Sequence, residues 1–369
     1  CKKDELGNNT EAVQKQAAKQ TMDAPVTITS AGPAIVKTFT TLQINGTNFS
    51  PVNANNVVKF NGVTTSVLLA TANTLIVNTP VGATTGKITV TTNGITATSP
   101  TNIKVVNPVK VASIPVGGAV QSITITSNGT IYGISGRSVF KYANGAMQIL
   151  HTLPVNTNPG GDIWGPFNYY SLSRTVTDNS NNIYFIQTRI YLRSIGDNQE
   201  FTCNIMKINP AGQVSVFVNN FGGTSDFAIS PNGDAFYAVS GNETYRIGKI
   251  TSTGIHMDFG GEVLHPDFLA VDKTGNVFVS HTYGMYISKF SPQGNLLGKY
   301  NAKAGSMASD ALGNIFYSGY KGIWLLNRAG NSFKYPINVG NESAIWLTID
   351  SNDKLYLINS GYITVYAFK

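Results

Sequence analysis

The chain has 369 residues, 42% of them hydrophobic and only 12% charged, which supplies more apolar material than one core uses and leaves Thr, Ser, Asn and Gly to cover the surface. A net charge of +7 is spread thinly along it and forms no clustered basic stripe, so nucleic acid is not an expected partner. Two cysteines, Cys1 and Cys203, are too few for a disulfide framework or a cysteine zinc site, and no apolar run approaches the 18 or so residues of a membrane-spanning helix.

Residues 1–23 are polar and rich in Gln, Ala, Lys and Asn, with no apolar period. Such a segment cannot bury enough surface to order itself and is expected to be a disordered tether. Its opening, Cys1-Lys2-Lys3-Asp4-Glu5, resembles the start of a mature bacterial lipoprotein of the Bacteroidetes type. The resemblance implies lipidation at Cys1 and an outer-membrane, cell-surface location, with a periplasm-facing anchor as the alternative.

Residues 24–106 alternate short apolar and β-branched runs with Gly and Asn turns, and show no helical period. About 80 residues of this pattern predict an immunoglobulin-like β-sandwich. Ile44-Asn45-Gly46-Thr47-Asn48-Phe49, the Phe60-Asn61-Gly62 turn, the corner at Pro80 and the hairpin at Gly86 resemble an IPT/TIG domain. That resemblance implies a spacer or interaction module. Only Asn107 and Pro108 follow before the next strand, and a two-residue connection with Pro leaves little hinge freedom.

From residue 107 to 369 one phrase recurs six times: an apolar strand, a turn built from Asp, Asn, Ser and Gly, and a second strand. Phe268-Leu-Ala-Val-Asp272-Lys-Thr-Gly275-Asn276-Val-Phe-Val shows it best. The turns end at Gly129, Asn181, Gly233, Gly275, Gly313 and Asp353, about 45 residues apart on average, which is the spacing of propeller blades. Third and fourth strands follow most copies, predicting an all-β, six-bladed β-propeller over 107–369. The sixth copy lacks a fourth strand, and Lys110 to Val116 is expected to supply it and close the ring, since closure removes exposed strand edges. Asp178, Asp272, Asp310 and Asp350 are read as turn formers. Trp324 and Trp346 fall on strands and are assigned to the core.

In this topology the loops before each first strand and between second and third strands share one face. Two insertions stand out there: a loop over Leu153 to Ser173 and another over Gln187 to Thr202. Long loops in a compact array are commonly functional. Trp164, Phe167, Tyr169, Tyr170, Arg174, Arg189, Tyr191, Arg193, Tyr245, Tyr283, Tyr286 and Tyr320 are therefore the candidate ligand-binding residues. Aromatic planes beside cationic and amide groups suit hydroxylated, flat ligands such as sugars.

The repeats also resemble NHL-type and gluconolactonase-like propellers, which include metal-dependent lactonases and lyases with ligands at the starts of inner strands. Here those positions offer Gln121, Arg174, Asp226, Asp267, Ser306 and Glu342, and the Glu/Asn/Asn/Asp ligand pattern is not evident. No cofactor or metal site is expected. His265, Asp267 and His281, with Asp226, are the weak catalytic candidates. The combination of lipoprotein start, TIG-like module and NHL-like propeller resembles Bacteroidetes surface proteins. It implies non-catalytic glycan capture beside an outer-membrane importer, expected on the propeller face opposite the tether; a propeller lyase or hydrolase acting on a carbohydrate or lactone and an outer-membrane protein-protein scaffold are the alternatives.

Overall fold

The computed structural model describes residues 25–116, 118–156, 167–192, 200–219, 224–241, 244–281, 285–337, 339, 346–359 and 361–369. The tether at 1–23, and with it Cys1, lies outside the described residues, as do Trp164, Arg193, Tyr283 and Glu342. The chain divides into two compact units, residues 1–107 with Lys369, and residues 108–368.

In the first unit two four-stranded antiparallel sheets share one core. One sheet runs Thr27–Gly32, Thr41–Thr47, Thr74–Asn78, Val67–Ala70, and the other Val63–Thr65, Asn56–Phe60, Ile88–Thr92, Ile95–Thr98. Alternation along the strands places Leu42, Ile44, Val58, Phe60, Leu75, Val77, Ile88 and Val90 inside with almost no exposure. Gly46 is required where it stands, because a Cβ there would lie 1.9 Å from the Thr27 carbonyl oxygen.

The second unit consists of six four-stranded antiparallel sheets in the manner of propeller blades. The first strands of the six sheets are Val120–Ile125, Phe167–Thr177, Thr224–Ile229, Pro266–Val271, Met307–Ser309 and Trp346–Ile349. Each lies beside the first strand of the next sheet, and that of the sixth lies beside that of the first. The sixth sheet takes its outer strand from the start of the unit: Pro108–Pro115 pairs antiparallel with Tyr362–Phe368, with Ala112 opposite Val365. Its core joins both ends of the unit, Ile123 and Phe140 packing with Ile363 and Val365.

The turn after each first strand is built locally. Asp272 Oδ1 accepts the backbone N–H groups of Thr274 and Asn276, and its Oδ2 accepts the Asn276 side-chain amide. Asp310 repeats this with Leu312 and Asn314, Asp178 with Ser180 and Asn182, and Asp350 with Asn352 and Lys354. Six residues, Gly129, Asn181, Gly233, Gly275, Gly313 and Asp353, take positive φ to close these turns.

The two expected loops are in good part strand. Phe167–Thr177, Ile183–Leu192 and Glu200–Ile208 form an extended ladder in the second sheet, with Tyr170 opposite Arg189 and Tyr191 opposite Glu200. The aromatic and β-branched residues that mark these segments are strand formers once a partner strand is alongside.

Candidate functional site

The site begins with irregularities in the first strands. Register shifts fall between Val120 and Ser122, Ser173 and Thr175, Thr224 and Phe227, and Pro266 and Leu269. A bulge leaves a residue out of the ladder and re-aims its side chain. Arg174 sits in the second of these with φ +47, a left-handed backbone that the surrounding sheet must hold in place.

Counted back from the positive-φ residue of each following turn, one position recurs as Ser122, Arg174, Asp226, Phe268, Ser306 and Trp346. The odd sheets place a small acceptor there and the even sheets a large side chain. Each small side chain reaches the backbone of the next sheet. Ser122 Oγ accepts the Thr175 N–H at 2.9 Å, Asp226 Oδ2 the Leu269 N–H at 2.7 Å, and Ser306 Oγ the Leu347 N–H at 3.2 Å. The three large side chains meet: the Arg174 guanidinium lies 5.2 Å from the centre of the Trp346 ring, and Phe268 meets Trp346 edge-on at 5.7 Å. Trp346 is half-buried: it packs against the core shared by the first and sixth sheets and also meets Arg174 and Phe268. Sequence reading missed it and Phe268; the turn-anchored count would have found both.

Arg174 ties several sheets together. Its Nε lies 2.9 Å from Asp226 Oδ1 and also donates to the Phe227 carbonyl at 3.3 Å, and its Nη2 donates to the Leu269 carbonyl at 3.3 Å. Asp226 is fully buried. Burial pushes its carboxyl up from the ordinary 3.8 to about 6, against the pull of Arg174 and of the backbone N–H groups of Leu269 and Phe227.

The rim carries more aromatic rings. On the second sheet Arg189 is held between Tyr170 and Tyr191, 5.9 and 5.3 Å from their ring centres, while Asn168 Oδ1 accepts from both Nε and Nη2 of the same guanidinium. Tyr169 is 46% exposed on the other face of that ladder. Phe167, at its start, is half-buried. Tyr245 of the third sheet meets His265 with tilted rings at 3.8 Å, and Tyr286 of the fourth stacks on His281 at 4.2 Å, with the Lys299 ammonium 5.1 Å from the Tyr286 ring. Tyr320 of the fifth is 75% exposed beside Lys321, and Tyr362 of the sixth, which sequence reading passed over, is 51% exposed. Every sheet from the second to the sixth contributes a tyrosine near its junction of second and third strands.

Of the weak catalytic candidates, Asp267 lies close enough to His281 to act electrostatically on it. His281 is buried, with Nδ1 2.6 Å from the Leu264 carbonyl oxygen and Nε2 3.1 Å from Ser288 Oγ. Burial lowers its pKa below the ordinary 6.5. His265, with φ +45, meets the Tyr245 ring at a tilt, and Asp226 is engaged with Arg174. Among the described residues no group of three or more His, Cys, Asp or Glu is placed to hold a metal ion.

Six four-stranded antiparallel sheets whose first strands lie side by side define a β-propeller. The family model described as SMP-30/Gluconolactonase/LRE-like region matches residues 176–315. Among solved structures, the chain is similar to a protein of unknown function from Bacteroides thetaiotaomicron, at 14% identity and a TM-score of 0.51, over 94% of this chain and 99% of that one. It is also similar to a gluconolactonase from Xanthomonas campestris, at 13% identity and a TM-score of 0.50, over 71% and 95%. An auxiliary nutrient binding protein from Bacteroides ovatus aligns at 11% identity and a TM-score of 0.49, over 94% and 99%. No curated protein sequence matches the chain. At these identities the likeness is one of fold.

Proposed function

We propose that this protein captures glycan, without catalysis, on the propeller face that carries the Tyr and Arg side chains. The observation that carries the reading is the ladder on the second sheet, where two tyrosines and an asparagine fix the Arg189 guanidinium while Tyr169 stands exposed. Aromatic planes take the C–H faces of sugar rings, and fixed guanidinium and amide groups take their hydroxyls. Tyr245, Tyr286, Tyr320 and Tyr362 extend the same chemistry around the rim.

Several finer points belong to this reading. The six sheets close into a full ring, supported by the pairing of Pro108–Pro115 with Tyr362–Phe368. The first unit is an IPT/TIG-type spacer, supported by its two four-stranded sheets and their shared core. A lipid anchor at Cys1, a place on the cell surface and an outer-membrane importer as partner rest on the sequence resemblance alone.

Affinity-gel electrophoresis against a panel of soluble polysaccharides tests the proposal. Tyr169→Ala and Tyr320→Ala should each weaken retention about tenfold, equivalent to ~1.4 kcal/mol. Retention of the double variant at the unsubstituted level would refute glycan capture on this face.

A further inference from the structure

The alternating inner position contains its own control. Ser122 and Ser306 make the bond from side chain to next-sheet backbone with a neutral hydroxyl, at 2.9 and 3.2 Å. Asp226 makes the same bond with a carboxylate at 2.7 Å, so joining two sheets there does not require a charge. The negative charge at Asp226 is matched instead to Arg174, whose guanidinium reaches the third and fourth sheets by hydrogen bonds and the sixth by lying over Trp346. A fully buried carboxylate is costly to ionise, and a buried ion pair is poor evidence of added stability. What the charge does supply is direction, because it aims a planar cation at one aromatic ring.

We propose that Arg174 and Asp226 are positioning residues: their ion pair sets Trp346, and with it Phe268, as the floor of the ligand-binding face. The inference rests on the glycan-capture reading for its ligand, but the coupling between pair and ring stands without one. Among the described residues, the strands packed against that of Asp226 carry these charged or titratable groups. Phe167–Thr177 brings Arg174, Tyr169 and Tyr170; Pro266–Val271 brings Asp267; and Ala235–Gly241 brings Tyr237. Of these Arg174 is the one that acts on its proton affinity. Protonating Asp226 therefore removes the charge that faces Arg174.

Trp346 fluorescence reports the coupling directly. In a Trp164→Phe/Trp324→Phe background, the ligand-free protein should show an emission change on acidification with a midpoint near the carboxyl value of about 6. Asp226→Asn should abolish that transition, and polysaccharide retention should fall about tenfold and lose its pH dependence. Arg174→Lys, which keeps the charge but shortens and rounds the cation, should remain folded by circular dichroism, alter Trp346 emission and weaken retention. A role in folding alone would lower the melting temperature of these variants and leave the pH profile of binding in place. Emission that does not titrate, or Asp226→Asn titrating and binding like the parent, would overturn the proposal. If the Trp346 transition is present and abolished by Asp226→Asn while no polysaccharide is retained by the parent, the positioning role stands and the glycan reading falls.

Discussion

The two ends of the inner strands obey different rules. At the turn end, four sheets use the same device: an aspartate whose Oδ1 caps two backbone N–H groups, followed by a residue in the left-handed region. At the other end the equivalent position is occupied by Ser, Arg, Asp, Phe, Ser and Trp in turn, and in several sheets it falls beside a bulge. Repetition marks what the fold needs from every blade. Departure from it marks where the six blades have divided a task among them.

The comparison is broken most directly at Arg174. Arg174→Met leaves the Asp226 carboxylate buried without its cation, and loss of one member of a buried pair costs about 3–5 kcal/mol. Calorimetry should record it as a large drop in melting temperature; an unchanged melting temperature would mean that the pair carries no structural role.

Next in size is a pH effect with an unusual sign. Asp226 titrates at 3.8 in the unfolded chain and at about 6 in the folded one, so between these values the folded form keeps a proton that the unfolded chain has released. Stability contributed by this group is therefore full below 3.8 and is lost as pH rises to about 6, by about 3 kcal/mol, then stays level. His281 acts the other way: burial disfavours its charged form, so the unfolded chain takes up the proton first and stability rises with pH toward 6.5. Urea denaturation across this range should show Asp226→Asn lacking the first slope while keeping the second. Identical profiles for parent and variant would remove Asp226 from the account.

At the turn end the effects should be smaller and alike. Asp272→Ala, Asp310→Ala and Asp350→Ala each strip a cap from two N–H groups and should each cost about 1–3 kcal/mol by chemical denaturation. A spread much wider than that among the three would show that the turns are not equivalent. Smallest of all, Tyr320→Ala at an exposed rim position should change stability by no more than about 0.5 kcal/mol while reducing glycan retention. A substantial loss of stability there would mean that the ring packs the loop and does not serve a ligand.

The sequence by itself determined the turns, the strand repeats and the apolar faces. Each of these depends on groups within five residues of one another, such as Asp272 with Thr274 and Asn276, or on period-2 alternation along a single strand. It did not reveal that Phe167 to Ser173 and Gln187 to Leu192 are paired strands, because a ladder exists only when its partner is alongside. Nor did it show that Arg174 would find Asp226, the Leu269 carbonyl and the Trp346 ring. Those contacts join residues far apart in the chain, and a bulge in one sheet and the packing of its neighbours place them, so only the tertiary structure could decide them.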